Sequence, residues 1–236
     1  EKPVAASARD AKRMQSLSKN AAIDPVVGYN IRFSLAFREV QKIVQNNKLG
    51  KLLSVHAVVG QNLQTWRPGR DLNDTVSVSR AKGGGVLREL SHEFDYLSTL
   101  FGETVDGYAL LEKTKYVNFD VEDTAMIILR FKHRSYNLPV SLNMDFTRHD
   151  TTRSCHIIGD EATLKWDAVL GHVSVHHSTG HIEDIYNNTS DLAMSYENMW
   201  GEFINQDFSN FASITSATKL ISWMECLEES FGLPEK

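Results

Sequence analysis

Residues 123–131, DTAMIILRF, and residues 138–146, LPVSLNMDF, decide the fold. In the first stretch Ala125, Ile127, Leu129 and Phe131 fall on one side of an extended chain, and Met126 and Ile128 on the other. Side chains that alternate with period two mark a β-strand. Apolar residues on both sides mark a sheet whose second face meets a partner. RSCHIIGD (153–160), ATLKWDA (162–168) and HVSVHH (172–177) continue the pattern. Asn137, Pro139 and the Gly159-Asp160 pair supply turn chemistry. The reading is an open, predominantly antiparallel sheet over residues 104–180, with helices covering one face.

Helices flank this sheet in the sequence. Residues 5–21 read as an amphipathic helix, and residues 34–47 as a second one, with Ser34 as N-cap and Gly50 as stop signal. GGGVLRELSHEFDYLSTLFG (83–102) reads as one helix that starts directly from three glycines. Leu87, Leu90, Phe94 and Leu97 share one of its faces, and Glu89, His92 and Tyr96 another. Residues 191–207 and 214–231 close the chain as two helices, the last with an apolar stripe of Ile214, Ala217, Ile221, Met224, Leu227 and Phe231. DPVVGYNIRF (24–33) reads as a short buried strand. KLLSVHAVVG (51–60) reads as a further strand in a helix–strand rhythm of the α/β kind. Residues 64–82 form a long polar loop, and loops of that length inside a domain often carry function. The fold class is α+β with an α/β remnant at its start.

Composition narrows the function. The chain has 236 residues, 42% hydrophobic and 23% charged, the balance of a folded domain rather than a disordered segment. A net charge of -5 argues against nucleic acid as a partner, because phosphate binding needs a basic face. The only two cysteines, Cys155 and Cys226, form no CxxC, which fits a reducing, cytoplasmic compartment. No apolar run has the length of a membrane span or the form of a signal peptide.

Three stretches carry candidate chemistry: EKP at 1–3, GYNIRF at 28–33 and GGGVLRELSHEFDYL at 83–97. Each also has an ordinary structural reading: a solvated lysine, a strand arginine paired with a carboxylate, an exposed His–Glu pair. Taken together and in this order they resemble the glucose–fructose oxidoreductase / inositol dehydrogenase / rhizopine-catabolism family of NAD(P)-dependent oxidoreductases. The resemblance runs the whole length and includes the closing helix with TSA and CLEES (213–230). The wording WRPGRD before GGGVLRELSHEFDYL is similar to members that act on sugars of surface glycans.

The resemblance implies a domain division: residues 1–33 as the end of a dinucleotide-binding Rossmann domain, 34–236 as a substrate-binding and oligomerisation domain. Roughly 100 residues with the GxGxxG loop are then expected upstream, and this chain alone is expected to be inactive. Gly83-Gly84-Gly85 does not match GxGxxG. The implied reaction moves a hydride between a carbinol of a sugar or cyclitol and NAD or NADP, which requires a base at the hydroxyl. Glu1, Lys2 and Pro3 are implied at the cofactor, with Lys2 beside the reacting hydroxyl and His92 as acid/base. Many members carry an aspartate four residues before that histidine. Here position 88 is Arg88, and Glu89 is the nearest acid. Glu89 is expected to orient His92 or bind a sugar hydroxyl, and Arg88 to favour an anionic substrate group. Asn30, Arg32, Trp66 and Arg67 are the expected substrate contacts, with Arg70 nearby, although Arg32 also suits a structural ion pair. His172, His176, His177 and His181 form a patch read as an exposed strand, so no metal is assigned. A homo-oligomer through the open sheet face completes the expectation.

Overall fold

The computed structural model describes residues 1–66, 69, 71–114 and 120–230. Helix α1 (Ala8–Asn20) is capped by Ser7, whose hydroxyl accepts from the Asp10 amide. Strand β1 (Val26–Val27) follows, then a 3-10 turn over Asn30–Phe33. The expected strand at 24–33 is therefore cut to two residues. Backbone bonds from the Arg32 amide to the Tyr29 carbonyl and from the Ser34 amide to the Ile31 carbonyl, both 3.1 Å, close the turn in place of a strand ladder, and Asn30, Ile31 and Phe33 are buried in it. Helix α2 (Leu35–Gln45) starts at Ser34, which accepts from the Phe37 amide at 3.0 Å. A second cap comes from far away: Asp191 Oδ1 accepts from the Leu35 amide at 2.9 Å. Strand β2 is Leu52–Gly60, and the polar loop begins with the single turn α3 (Leu63–Trp66).

Residues 83–102 do not form one helix. Helix α4 (Val86–Glu89) ends at Leu90, and α5 (His92–Phe101) begins after Ser91. The three glycines stay outside both. Gly83 and Gly85 have φ of +79° and +110°, and a Cβ on Gly85 would run into the Glu122 carboxylate. Glu89 and His92 thus sit on two helices, not on one helical face.

Strands β3 (Glu103–Glu112), β4 (Thr124–His133), β5 (Tyr136–Asp145), β6 (Thr152–Gly159), β7 (Ala162–Asp167), β8 (His172–His177) and β9 (Ile182–Asn187) follow. With β2 they make an eight-stranded sheet in the order β3-β4-β5-β2-β6-β7-β8-β9. All pairings are antiparallel except β2 with β5. Strand β2 is a correction to the expected α/β rhythm. It lies in the middle of the large sheet because Val55, Ala57 and Val59 supply the inward face that two neighbouring strands need. Helix α6 (Asp191–Ile204), strand β10 (Ala212–Ser213) and helix α7 (Ile214–Ser230) complete the chain. Strand β10 pairs with β1, and α7 packs along α1.

Helices α2, α4, α5 and α7 cover one face of the sheet. Ala125, Ile127, Leu129 and Phe131 point into that layer and are buried. Trp166 of β7, Tyr96 of α5 and Phe37 of α2 meet there, with ring centroids 5.2–6.1 Å apart. Burying a side chain such as Phe37 contributes about 2 kcal/mol. On the other face Met126 and Ile128 are each 56% exposed, as the period-two reading required. The stripe of α7 is buried at Ile214, Ala217, Ile221, Met224 and Leu227; Phe231 lies outside the described residues.

Candidate functional site

Lys2 and His92 are ninety positions apart in sequence and meet in space. The Lys2 ammonium donates to the backbone carbonyl of Glu89, the last residue of α4. The α4–α5 break then brings His92 to the first turn of α5. Both side chains line two adjoining cavities, of about 250 and 380 Å³. The smaller one has an apolar wall from α6 and beyond it, formed by Tyr196, Met199, Trp200, Phe203 and Phe211. The larger one is the more polar of the two, with Gln61, Glu89, Thr152 and Arg153 beside the apolar Trp66, Leu90, Leu192 and Tyr196.

Burial governs the electrostatics. It holds the His92 imidazole well below its ordinary 6.5, and the nearby Lys2 and Arg153 push the same way. His92 is therefore neutral at pH 7. Burial also lowers Lys2, helped by Arg153 and opposed by Glu89 and Glu93. Nδ1 of His92 is buried and, among the described residues, has no hydrogen-bond partner. The Tyr29 ring stands edge-on to the imidazole, with centroids 5.5 Å apart. Behind them Glu93 is fully buried. Burial raises its carboxyl, and the Arg153 pair at 2.8 Å opposes the rise.

The structure gathers some of the expected residues and separates others. Glu1, Lys2, Asn30 and His92 line the smaller cavity, and Lys2, Trp66, Glu89 and His92 the larger. Pro3 is half-buried beside Lys2. Asn30 is buried and donates to Ser195 Oγ at 2.7 Å. The Trp66 indole donates to Gln61 Oε1 and packs edge-on against Phe146. Glu89 meets Lys2 through its backbone oxygen. Arg32 lines neither cavity. Its guanidinium binds both oxygens of Asp95 at 2.7 Å and borders a separate cavity of about 740 Å³. Arg88 is turned away as well, paired with Glu228 and donating to the Ala6 carbonyl at 3.1 Å. An arginine at position 88 reaches the closing helix, not the cavities. Arg67 and Arg70 lie outside the described residues.

In the histidine patch, His172 binds Asp184 at 2.9 Å and His177 stacks on His181. Among the described residues no group of three His, Cys, Asp or Glu side chains is placed to hold a metal ion. No helix is long and apolar enough to cross a membrane, again among the described residues.

Sequence reasoning missed Arg153, Glu93, Gln61 and Tyr196. Arg153 carried a signal. It occupies an inward position of β6, in phase with Cys155 and Ile157, and a charge on an inward face requires a buried partner.

Comparison with known proteins places this geometry. Myo-inositol 2-dehydrogenase of Thermotoga maritima is 30% identical over 138 residues, 56% of this chain and 38% of that protein. The chain thus spans well under two thirds of that relative's length. A levoglucosan dehydrogenase solved in complex with NADH superposes with a TM-score of 0.80 at 17% identity, covering 98% of this chain and 70% of that one. A super-repressor mutant of Gal80p from Saccharomyces cerevisiae superposes with a TM-score of 0.77 at 13% identity, over 96% and 68% of the two chains. At these identities the superpositions establish the fold. The profile of the GFO/IDH/MocA C-terminal domain matches residues 37–165, more than half of the sequence, and the chain therefore belongs to the GFO/IDH/MocA family.

Proposed function

We propose that this chain is the substrate-side part of an NAD(P)-dependent oxidoreductase acting on a hydroxyl-bearing carbon of a sugar or cyclitol. The observation that carries the reading is the position of Lys2 and His92 at the junction of two cavities, one apolar and one polar. The fit to a nicotinamide cofactor is partial. The apolar wall with Tyr196, Met199 and Trp200, next to Glu1, Lys2 and Asn30, suits a nicotinamide ring. No GxGxxG occurs in the sequence, so the fingerprint that cradles a dinucleotide pyrophosphate is not among these residues. When bound, the nicotinamide exchanges the hydride.

The chain's own residues handle the proton and the orientation. Neutral His92 takes the hydroxyl proton of the substrate and returns it in the reverse direction. Lys2, lowered by burial, supplies a hydrogen bond to the same oxygen. Glu89 and Trp66 hold ring hydroxyls and a ring face in the polar cavity. Arg32 and Arg88 serve the fold through their ion pairs. We place a second subunit on the open sheet face, where Tyr108, Leu110, Met126 and Ile128 form an exposed apolar patch on β3 and β4. Two cysteines without a CxxC support a cytoplasmic setting.

The test is NADH fluorescence and sugar-dependent NADH formation, for this chain and for the protein at its natural length. Turnover that is lost in Lys2→Ala and His92→Ala supports the reading. A second reading is a non-catalytic sugar-binding or scaffold module with the same fold, which the cavities without a GxGxxG in the sequence also fit. NADH or sugar binding without turnover in every redox direction would select it and discard the enzyme.

A further inference from the structure

Arg153 is the one guanidinium that the fold brings into the polar cavity among the described residues. Its side chain is 16% exposed, while that of Glu93 is fully covered. Nε donates to one Glu93 oxygen at 2.8 Å and Nη2 to the other at 3.5 Å. Nη1 makes no hydrogen bond within the described residues, so one edge of the guanidinium remains for a guest. The cavity around it holds Lys2, Gln61, Trp66, Glu89 and His92.

The charges of this cavity are balanced before anything enters. Glu93 neutralises Arg153 at close range, and His92 is uncharged. The Lys2 ammonium has the Glu89 and Glu93 carboxylates as its counter-charges. Glu89 adds a carboxylate on the cavity side. A substrate carboxylate or phosphate would shed its hydration here and find no uncompensated cation. A hydroxyl loses far less on entry and meets both donors and acceptors.

We propose that Arg153, held in place by Glu93, determines specificity in the polar cavity: its remaining edge donates to a ring hydroxyl of an uncharged polyol, and Glu93 keeps acidic sugars out. The inference rests on reading the cavity as a sugar or cyclitol site and names the class of substrate it admits. Glu93 acts as a positioning residue through Arg153. Neutralising it leaves a cation without a counter-ion, which should open the cavity to acids.

The experiment measures binding by calorimetry in the presence of NADH, with the protein at its natural length. The probes are glucose, galactose and myo-inositol against glucuronate and galacturonate. The wild type is expected to bind an uncharged member and to reject its uronate. Arg153→Gln should weaken uncharged ligands by about tenfold or more. Arg153→Lys keeps the ion pair but lacks the second edge, and should weaken them similarly. Glu93→Gln should shift preference toward the uronate by about tenfold. Because Glu93→Gln alters a buried pair, Arg153→Lys decides the matter if that variant fails to fold. Unchanged affinity in both Arg153 variants, or a wild type that takes uronates equally well, overturns this inference and leaves the oxidoreductase reading intact. A wild type that binds neither NADH nor any of the sugars overturns both.

Discussion

Arg32 holds both carboxylate oxygens of Asp95 at 2.7 Å, and Asp95 lies one helical turn beyond His92 on α5. The pair locks the end of the 3-10 turn to the helix that presents the imidazole. Burial raises the Asp95 carboxyl, against the opposing pull of Arg32. Arg32→Ala leaves that carboxylate buried and alone, and should cost roughly 3–5 kcal/mol in denaturant unfolding. Arg32→Lys should recover only part, since an ammonium cannot make the paired bonds. A stability loss below 1 kcal/mol, taking exposed ion pairs as the scale (about 1 kcal/mol or less), would contradict this.

Arg88 is expected to behave as a structural residue. Its pair with Glu228 outweighs the burial that works against its charge. Arg88→Ala should lower stability by roughly 3 kcal/mol and leave the KM for sugar unchanged in the folded fraction. An increase in KM at unchanged stability would return Arg88 to the substrate.

His92 should give a pH-dependent share of stability. Its folded value lies well below 6.5, near which the unfolded chain takes up a proton. Between the two values the unfolded state binds more protons, so stability falls as pH drops through that window. Above 6.5 His92 adds no slope. Burial lowers His133 and His156 as well, so the difference between wild type and His92→Asn isolates the effect. Urea midpoints measured on both sides of pH 6.5 should show a smaller acid-side loss in the variant. Parallel curves would mean that His92 is solvated.

Ile128 pairs across strands with Tyr108 and Ser141 on the open face. Ile128→Asp should leave the fold intact, because the side chain points away from the core, and should shift sedimentation toward the monomer. An oligomer unaffected by the change would move the subunit contact elsewhere.

Much of the fold is legible in local periodicity. Residues 124–131 alternate, and the structure buries one set and exposes the other. Ser34 caps α2 because a serine before an apolar helical run is a local signal. Lys2 and His92 are marked differently: each stretch is weak alone, and the order of EKP, GYNIRF and GGGVLRELSHEFDYL, which resembles the family, singles them out. The α4–α5 break was not legible, since Leu87, Leu90, Phe94 and Leu97 keep helical spacing across it. The close packing of Gly84 against Val76 and Ser77, and of Gly85 against Glu122, fixes where α4 begins, and the break itself falls at Leu90 and Ser91.

The sequence by itself determined the alternating strands and the amphipathic helices, because side-chain period is a property of neighbouring positions; it offered Lys2 and His92 as candidates only through a motif order that resembles the family. Tertiary structure decided which charge answers which. Arg88 went to Glu228, Arg32 to Asp95 and Arg153 to Glu93, across separations of 140, 63 and 60 residues. It also set β2 parallel to β5 in the middle of the sheet. A buried charge must find a counter-charge wherever the chain brings one, and that choice is made by the packing of distant segments, not by spacing along the chain.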